Sequence, residues 1–442
     1  MQLSNGSYSI MELLLITWYY PYNYGDGSFL EPELPFLARQ FDKIHIFFSA
    51  KDCKAYDKLK TPSKVLIVTD YSPLPSSLNG LKRLKPILLS IFMSPFHPFI
   101  LVFIFFSEIF LLLKKRKFNL QNIKRSFRNI ISANTNSTFI KNYIAKNKNI
   151  KIIYTFWYDQ FAMAALLYKK YFNNSIKCVT RTHGVDLFEQ QNPNNYLPFK
   201  YWMDKEIDHV FFVSKAGYDY YLSLFAGKVL SKYSVSRLGI TSDHEFNDSI
   251  ENNTNGILKI ISCSTMIPRK RVNLIIEALS KIPDIQIKWD HIGDGPERIE
   301  LEKMAQLFLD IKLNISYQFL GEMDVKSIKN HYSGNYYDVF VSTTLIEGGN
   351  PVSMMEAISF GIPVIATNVG GVPEVVNNST GILIDSDNCI EELVSAIYSF
   401  KSKSIEEKNV LRNSCRKYWE DNYMAERQYP LFVNQLMEIA NS

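Results

Sequence analysis

The chain has 442 residues, 46% apolar and 21% charged, with a net charge of +5. That length exceeds one ordinary domain and predicts two, and the composition excludes a disordered or fibrous chain. Five scattered cysteines without a CxxC pair exclude a disulfide framework and a cysteine zinc site, and they fit a reducing cytoplasm.

The first apolar run, MELLLITW from Met11, reads as a strand rather than a signal peptide, because no basic region or small-residue cleavage site accompanies it. Next comes Tyr24-Gly-Asp-Gly-Ser-Phe29. Gly25 and Gly27 would let backbone approach a phosphate or sugar there, although a plain structural turn uses the same residues. Further strands are predicted at Ile44–Phe48 and Val65–Val68.

Pro86–Leu113, PILLSIFMSPFHPFILVFIFFSEIFLLL, is apolar almost throughout but interrupted by Pro95, His97, Pro98 and Glu108. Three readings stay open: a core helix pair, a membrane-dipping helical pair, and a transmembrane helix, which a buried Glu disfavours. Eleven Lys and Arg residues follow between Lys114 and Lys151 with no Asp or Glu among them. Such a run meets phosphate, in lipid or nucleic acid.

Strands are expected at Lys151–Phe156, Lys177–Arg181 and His209–Val213. His183, before a glycine at a strand's carboxyl end, is placed to face a ligand, the alternative being a structural histidine. Asp186 would orient that loop or touch an acceptor. The Asn- and Asp-rich stretch at 242–256 reads as a linker between domain 1–241 and domain 257–421, with a last helix over 422–442 packing back on the first domain.

In the second domain strands are predicted at Leu258–Ser262, Ile285–His291, Tyr317–Leu320, Asp338–Ser342 and Pro363–Thr367, with helices between them. That alternation predicts parallel sheets, two doubly wound α/β domains with a cleft between them. Arg269, Lys270 and Arg271 precede a helix whose dipole opposes them, a conflict that a bound diphosphate would remove. His291-Ile-Gly-Asp-Gly-Pro-Glu297 sets Gly293 and Gly295 at a strand's end, like a phosphate or nucleoside loop. In IEGGNPVSMMEAISFG from Ile346, Asn350 is the expected N-cap and Pro351 the first helical residue, and Gly361 closes the helix. Glu347 precedes Gly348-Gly349, and Glu356 sits within an apolar helix, where a carboxylate needs a partner. Gly370-Gly371 then makes a second glycine turn, and Pro373 and Glu374 would open another helix.

IGDGPE, EGGNPVSMMEA and GIPVIATNVGGVPE, in that order, resemble the family-4 retaining glycosyltransferases, which have the GT-B fold of two Rossmann-like domains facing a cleft. The likeness is strongest over 256–384 and is to bacterial enzymes of exopolysaccharide, capsule or lipopolysaccharide synthesis. It implies that the first domain binds an acceptor and the second a nucleotide-sugar. Glu347 would then hold hydroxyls of the transferred sugar and Glu356 the ribose. Lys270, with Arg269 or Arg271, would stabilise the leaving diphosphate. Backbone around Gly348, Gly349, Asn350 and Pro351 would face the donor, as would Gly293 and Gly295. His183 would contact the donor sugar, and the Gly25–Gly27 loop would approach the phosphates.

Two departures stand out. Eight residues separate the two glutamates where the family has seven, and Thr265 replaces its usual arginine. The implied reaction is sugar transfer with retention onto a lipid-linked oligosaccharide, at an anionic membrane surface on the inner face of the cell membrane. No DxD motif is placed to hold a metal, so neither metal nor cofactor is expected, and no nucleic-acid-binding signature appears. A sugar-nucleotide epimerase on the same fold and a non-catalytic assembly scaffold are the alternatives.

Overall fold

The computed structural model describes residues 10–23, 25–49, 57–69, 98–226, 230–241 and 256–442. The chain divides into two compact units: 1–213, 217–236 and 429–442 form the first, and 214–216 and 237–428 the second.

The first unit is built on a seven-stranded parallel sheet ordered β3-β2-β1-β4-β5-β6-β7. Its strands are β1 Glu12–Thr17, β2 Lys43–Phe48, β3 Val65–Ile67, β4 Ile150–Thr155, β5 Lys177–Thr182, β6 His209–Phe212 and β7 Tyr233–Val235. Leu13 to Ile16 are buried in succession, as a strand covered on both faces requires. One face packs on helices Leu120–Lys146 and Gln160–Phe172, whose side chains share a core with Leu14, Ile153 and Phe212. Eight consecutive residues of the second helix, Phe161 to Tyr168, are buried, and Asp159 caps it by accepting from the Phe161 amide at 2.8 Å. The other face packs on helix Leu34–Gln40 and on the last helix, Ala425–Asn441, through Phe432, Val433 and Leu436.

The second unit carries a six-stranded parallel sheet ordered β10-β9-β8-β11-β12-β13. Its strands are β8 Leu258–Cys263, β9 Ile287–Ile292, β10 Ile315–Gly321, β11 Val339–Ser342, β12 Val364–Thr367 and β13 Gly381–Ile384. Helices Val272–Ser280, Arg298–Leu309 and Cys389–Ser402 cover one face around Trp289. Helices Val352–Ser359 and Ile405–Asn422 cover the other around Phe340 and Trp419. Each sheet reverses its strand order once, between β1 and β4 and between β8 and β11. Ligands of open α/β sheets bind at the carboxyl ends of the strands at such a switch.

Several expectations need correction. The short strands β7 and β13 escaped sequence reading, since three or four residues carry too little periodicity. The helix after the glutamate loop begins at Val352 with Pro351 as its N-cap residue, not Asn350, because Pro351 itself takes an extended ψ of 116° and stays outside the helix. Gly361 does end it, with φ 66°. Pro373 and Glu374 open only a single 3-10 turn, Val372–Glu374. The linker reading at 242–255 and the first half of the apolar segment, 86–97, lie outside the described residues. The second half forms helix Pro98–Lys114, and no helix among the described residues is long and apolar enough to cross a membrane.

Candidate active site

In the second unit, the loops after β8 and β11 meet at the switch point. The Leu345 amide donates to the Arg269 carbonyl at 2.7 Å, and Thr343 Oγ1 donates to the Arg271 carbonyl at 2.8 Å. This stitching brings Lys270 Nζ onto the Glu347 carboxylate as a part-buried ion pair. Residues 77 positions apart, singled out separately in the sequence, thus touch.

The glycine turn after β12 packs beneath them. Gly370 has φ 52°, and a Cβ there would lie 1.7 Å from the Glu347 carbonyl; one on Gly371 would lie 2.4 Å from the Gly349 carbonyl. Only glycine allows the two turns to approach this closely. Gly348, Asn350 and Pro351 are buried between this contact and the helix.

Glu356 is buried within helix Val352–Ser359. Loss of water raises its carboxyl to about 7, only partly offset by Lys329 nearby.

Two other predictions in this unit take a different form. Arg271 sits at the helix N-cap with φ 51°, and its guanidinium donates to the Thr343, Thr344 and Ser386 carbonyls and the Ser386 hydroxyl. Arg269 remains exposed. The IGDGPE glycines are first of all packing residues. A Cβ on Gly293 would lie 2.0 Å from the Ser264 carbonyl, and one on Gly295 2.5 Å from that of Met266. They seat the loop after β9 against the loop after β8. Asp294 turns outward to Arg298 at 2.8 Å.

In the first unit the loops after β1, β4 and β5 converge at the other switch point. Asp26, between Gly25 and Gly27, is buried and accepts from Thr17 Oγ1 (2.7 Å), the Trp18 and Tyr19 amides (2.8 Å each) and Trp157 Nε1 (2.7 Å). Gly25 lies against the Tyr19 ring and Gly27 against the Tyr22 carbonyl. Asp186 organises its own loop, accepting from the Tyr158, His183 and Gly184 amides at 2.9–3.0 Å.

The His183 ring lies against Phe156 and Trp157, with centroids 4.5 and 4.6 Å away. Burial lowers its pKa to about 4, so the ring is neutral at physiological pH. Both ring nitrogens are shielded from solvent and have no hydrogen-bond partner among the described residues. A buried neutral imidazole left in that state is suited to a hydroxyl-bearing ligand.

Beside it opens a pocket of about 380 Å³ lined by Trp18, Trp157, Tyr158, Asp159, Arg125 and Lys200, among others. Burial lifts the Asp159 carboxyl to about 7 and lowers the Lys200 ammonium to about 8. Lys200 Nζ donates to the Tyr158 carbonyl and lies 3.8 Å from the centre of that ring. Sequence reasoning missed Asp26, Asp159 and Lys200. Asp26 between two glycines and Asp159 before an apolar helix were readable as a turn anchor and a cap; nothing local marks Lys200.

Residues 243–418 match the family model "Glycosyl transferases group 1". A component of the human phosphatidylinositol N-acetylglucosaminyltransferase is 28% identical over 38% of this chain and 35% of its own length. The putative colanic acid biosynthesis glycosyltransferase WcaL of Escherichia coli K12 is 24% identical over 52% of this chain and 57% of its own. The chain therefore spans less than two thirds of either relative. Anabaena HepE, solved with UDP and glucose, superposes with a TM-score of 0.63 at 14% identity, over 97% of this chain and 100% of its own. The two parallel-sheet α/β units share the GT-B fold of that structure.

Proposed function

We propose, from a chain whose residues 243–418 match the model of the glycosyl transferases group 1, that it transfers a sugar from a nucleoside diphosphate to a hydroxyl of a lipid-linked saccharide with retention. The observation that carries this reading is the Lys270–Glu347 pair at the β8/β11 switch point, next to the helix that buries Glu356.

In this reading the acceptor oxygen bonds to the anomeric carbon as the bond from that carbon to the diphosphate breaks, on the same face of the sugar. The electron pair leaves with the diphosphate, and one of its oxygens takes the acceptor's proton. Lys270 and Arg269 neutralise the charge that develops, and a cation aimed there in advance is the main source of rate. Glu347 exchanges its lysine for hydroxyls of the transferred sugar, Glu356 accepts from the ribose, and Gly348–Pro351 presents backbone to the donor. In the first unit, His183 and the aromatic pocket suit saccharide hydroxyls and ring faces.

The name of the human relative, a phosphatidylinositol N-acetylglucosaminyltransferase, supports a lipid-borne acceptor, and that of the E. coli relative, a putative colanic acid biosynthesis glycosyltransferase, supports a saccharide one. The HepE complex supports a UDP donor. The reading places the chain at the inner, cytoplasmic face of a membrane with anionic lipid as partner, and it assigns no metal, cofactor or nucleic acid.

Calorimetric titration with UDP and GDP tests it. Saturable binding to one of them, weakened at least about tenfold in both Glu356→Ala and Lys270→Ala, is expected. Absence of binding to either would leave a scaffold. Donor interconversion without acceptor glycosylation would leave an epimerase.

A further inference from the structure

Helix Pro98–Lys114 is apolar on both sides. Its inner side is buried through Leu101, Ile104 and Leu112. Glu108 is also inside, where it accepts from Tyr196 Oη at 2.6 Å; the acid that interrupted the apolar sequence faces protein. Its outer side leaves Phe99, Phe103, Phe106 and Phe110 between 63% and 80% exposed, with Val102 and Leu113 beside them. At the angular step of an α-helix these six fall within an arc of about 100°. Phe105 continues the surface to the next helix, with ring centroids 5.9 Å from Phe106 and 6.0 Å from Phe127, which is itself 45% exposed. Four large aromatic side chains aligned in water are far from the scattered single apolar residues of an ordinary surface.

Charge identifies what covers them. Lys114 ends the helix, Arg116 lies in the turn that follows, and Lys124 and Arg128 share the exposed side of the following helix with Phe127; all four are exposed. No Asp or Glu occurs from Ile109 to Tyr158. A protein partner that filled this face would meet a cationic rim, and a second copy would meet its own cations. An anionic lipid surface offers phosphate at the rim and acyl chain below it.

We propose that the outer face of helix Pro98–Lys114 seats its phenylalanines in the interface of an anionic bilayer, with Lys114, Arg116, Lys124 and Arg128 at the headgroups. The proposal deepens, and rests on, the reading of a transferase acting on a lipid-linked acceptor. The inner side of the same helix gives it a consequence. Tyr196, held by Glu108 and by Ser126 Oγ at 2.6 Å, adjoins Leu197 and Pro198, which line the aromatic pocket. A docked helix therefore holds, on its protein side, the loop that shapes this pocket.

The test is co-sedimentation of the full chain with vesicles of phosphatidylcholine alone or with about one third phosphatidylglycerol. Binding to the anionic vesicles, falling as salt rises, is expected. Phe106→Asp/Phe110→Asp and Lys124→Glu/Arg128→Glu should each reduce it at least about tenfold. UDP or GDP titration of the same variants should match the unaltered chain.

If the unaltered chain ignores anionic vesicles, or if the phenylalanine variant binds them equally well, the proposal is overturned. It is also overturned if the chain dimerises through this face, so that the phenylalanine variant becomes monomeric while neither form binds vesicles. Vesicle binding without nucleotide binding would instead uphold the surface and sink the transferase reading.

Discussion

Glu356 couples the candidate site to pH. Its carboxyl is raised from 4.5 to about 7 by burial. Between those values the folded chain holds a proton that the unfolded chain has lost, so stability falls as pH rises through this window. Glutamine cannot ionise and avoids that loss. Glu356→Gln should equal the unaltered chain in stability near pH 4 and exceed it by up to about 3 kcal/mol at pH 8, read from urea unfolding at the two pH values. Equal stability at both would mean that Glu356 is solvated or paired in the folded state. Donor affinity should move the other way, because the amide lacks the charge that a ribose hydroxyl would meet. This opposition is the mark of a binding residue: a merely structural acid would not trade stability for affinity.

At the scale of elements, the site depends on turns that touch through backbone. The Gly370-Gly371 turn supports the Glu347–Gly349 loop at distances no other residue permits. Gly370→Ala should shift Glu347 off Lys270, lower the melting temperature by several degrees and weaken UDP or GDP binding at least about tenfold. Gly334, where nothing lies within 4 Å of an added Cβ, is the control, and Gly334→Ala should leave both values unchanged. Differential scanning fluorimetry and calorimetry on the two variants decide this; equal behaviour would refute the coupling. The glycine pair was visible in the sequence as a turn. What it supports was not, because Gly370 and Glu347 are 23 positions apart and only the β11–β12 pairing sets them together. The IGDGPE motif carries the same lesson: its glycines read as a ligand loop, and their confinement comes from the neighbouring loop.

At the scale of the molecule, the chain closes on itself. The last helix leaves the second unit at Gln428 and completes the first. Phe432 packs between Tyr154 and Phe211, Val433 and Leu436 are buried, and the Arg181 guanidinium lies 3.9 Å from the Phe432 ring centre. Arg181 is also ion-paired to Glu33 and fully buried. Removing residues 429–442 would expose a sheet face and open that buried pair, a loss on the order of 5 kcal/mol from the three apolar side chains alone. The truncated chain should fail to give a cooperative transition for the first unit by calorimetry or circular dichroism. A chain that still unfolded with its original melting temperature would show that the helix is an accessory.

The sequence by itself determined the parallel α/β character of both units, most of their strands, and the residue types around the glutamate loop. Strand period, apolar runs and turn glycines are local properties that neighbouring residues carry. Only the tertiary structure decided which of those residues meet. It joined Lys270 to Glu347, spent Arg271 on carbonyls, isolated the His183 ring nitrogens and buried Asp26, Asp159 and Lys200. It also divided the described half of the apolar segment, 98–113, into a protein-facing side that holds Glu108 and an outward side of phenylalanines, where composition alone fitted three different fates. Those outcomes depend on the order in which strands pair and on which face of a helix finds a partner, and both are set by contacts between residues far apart in the chain.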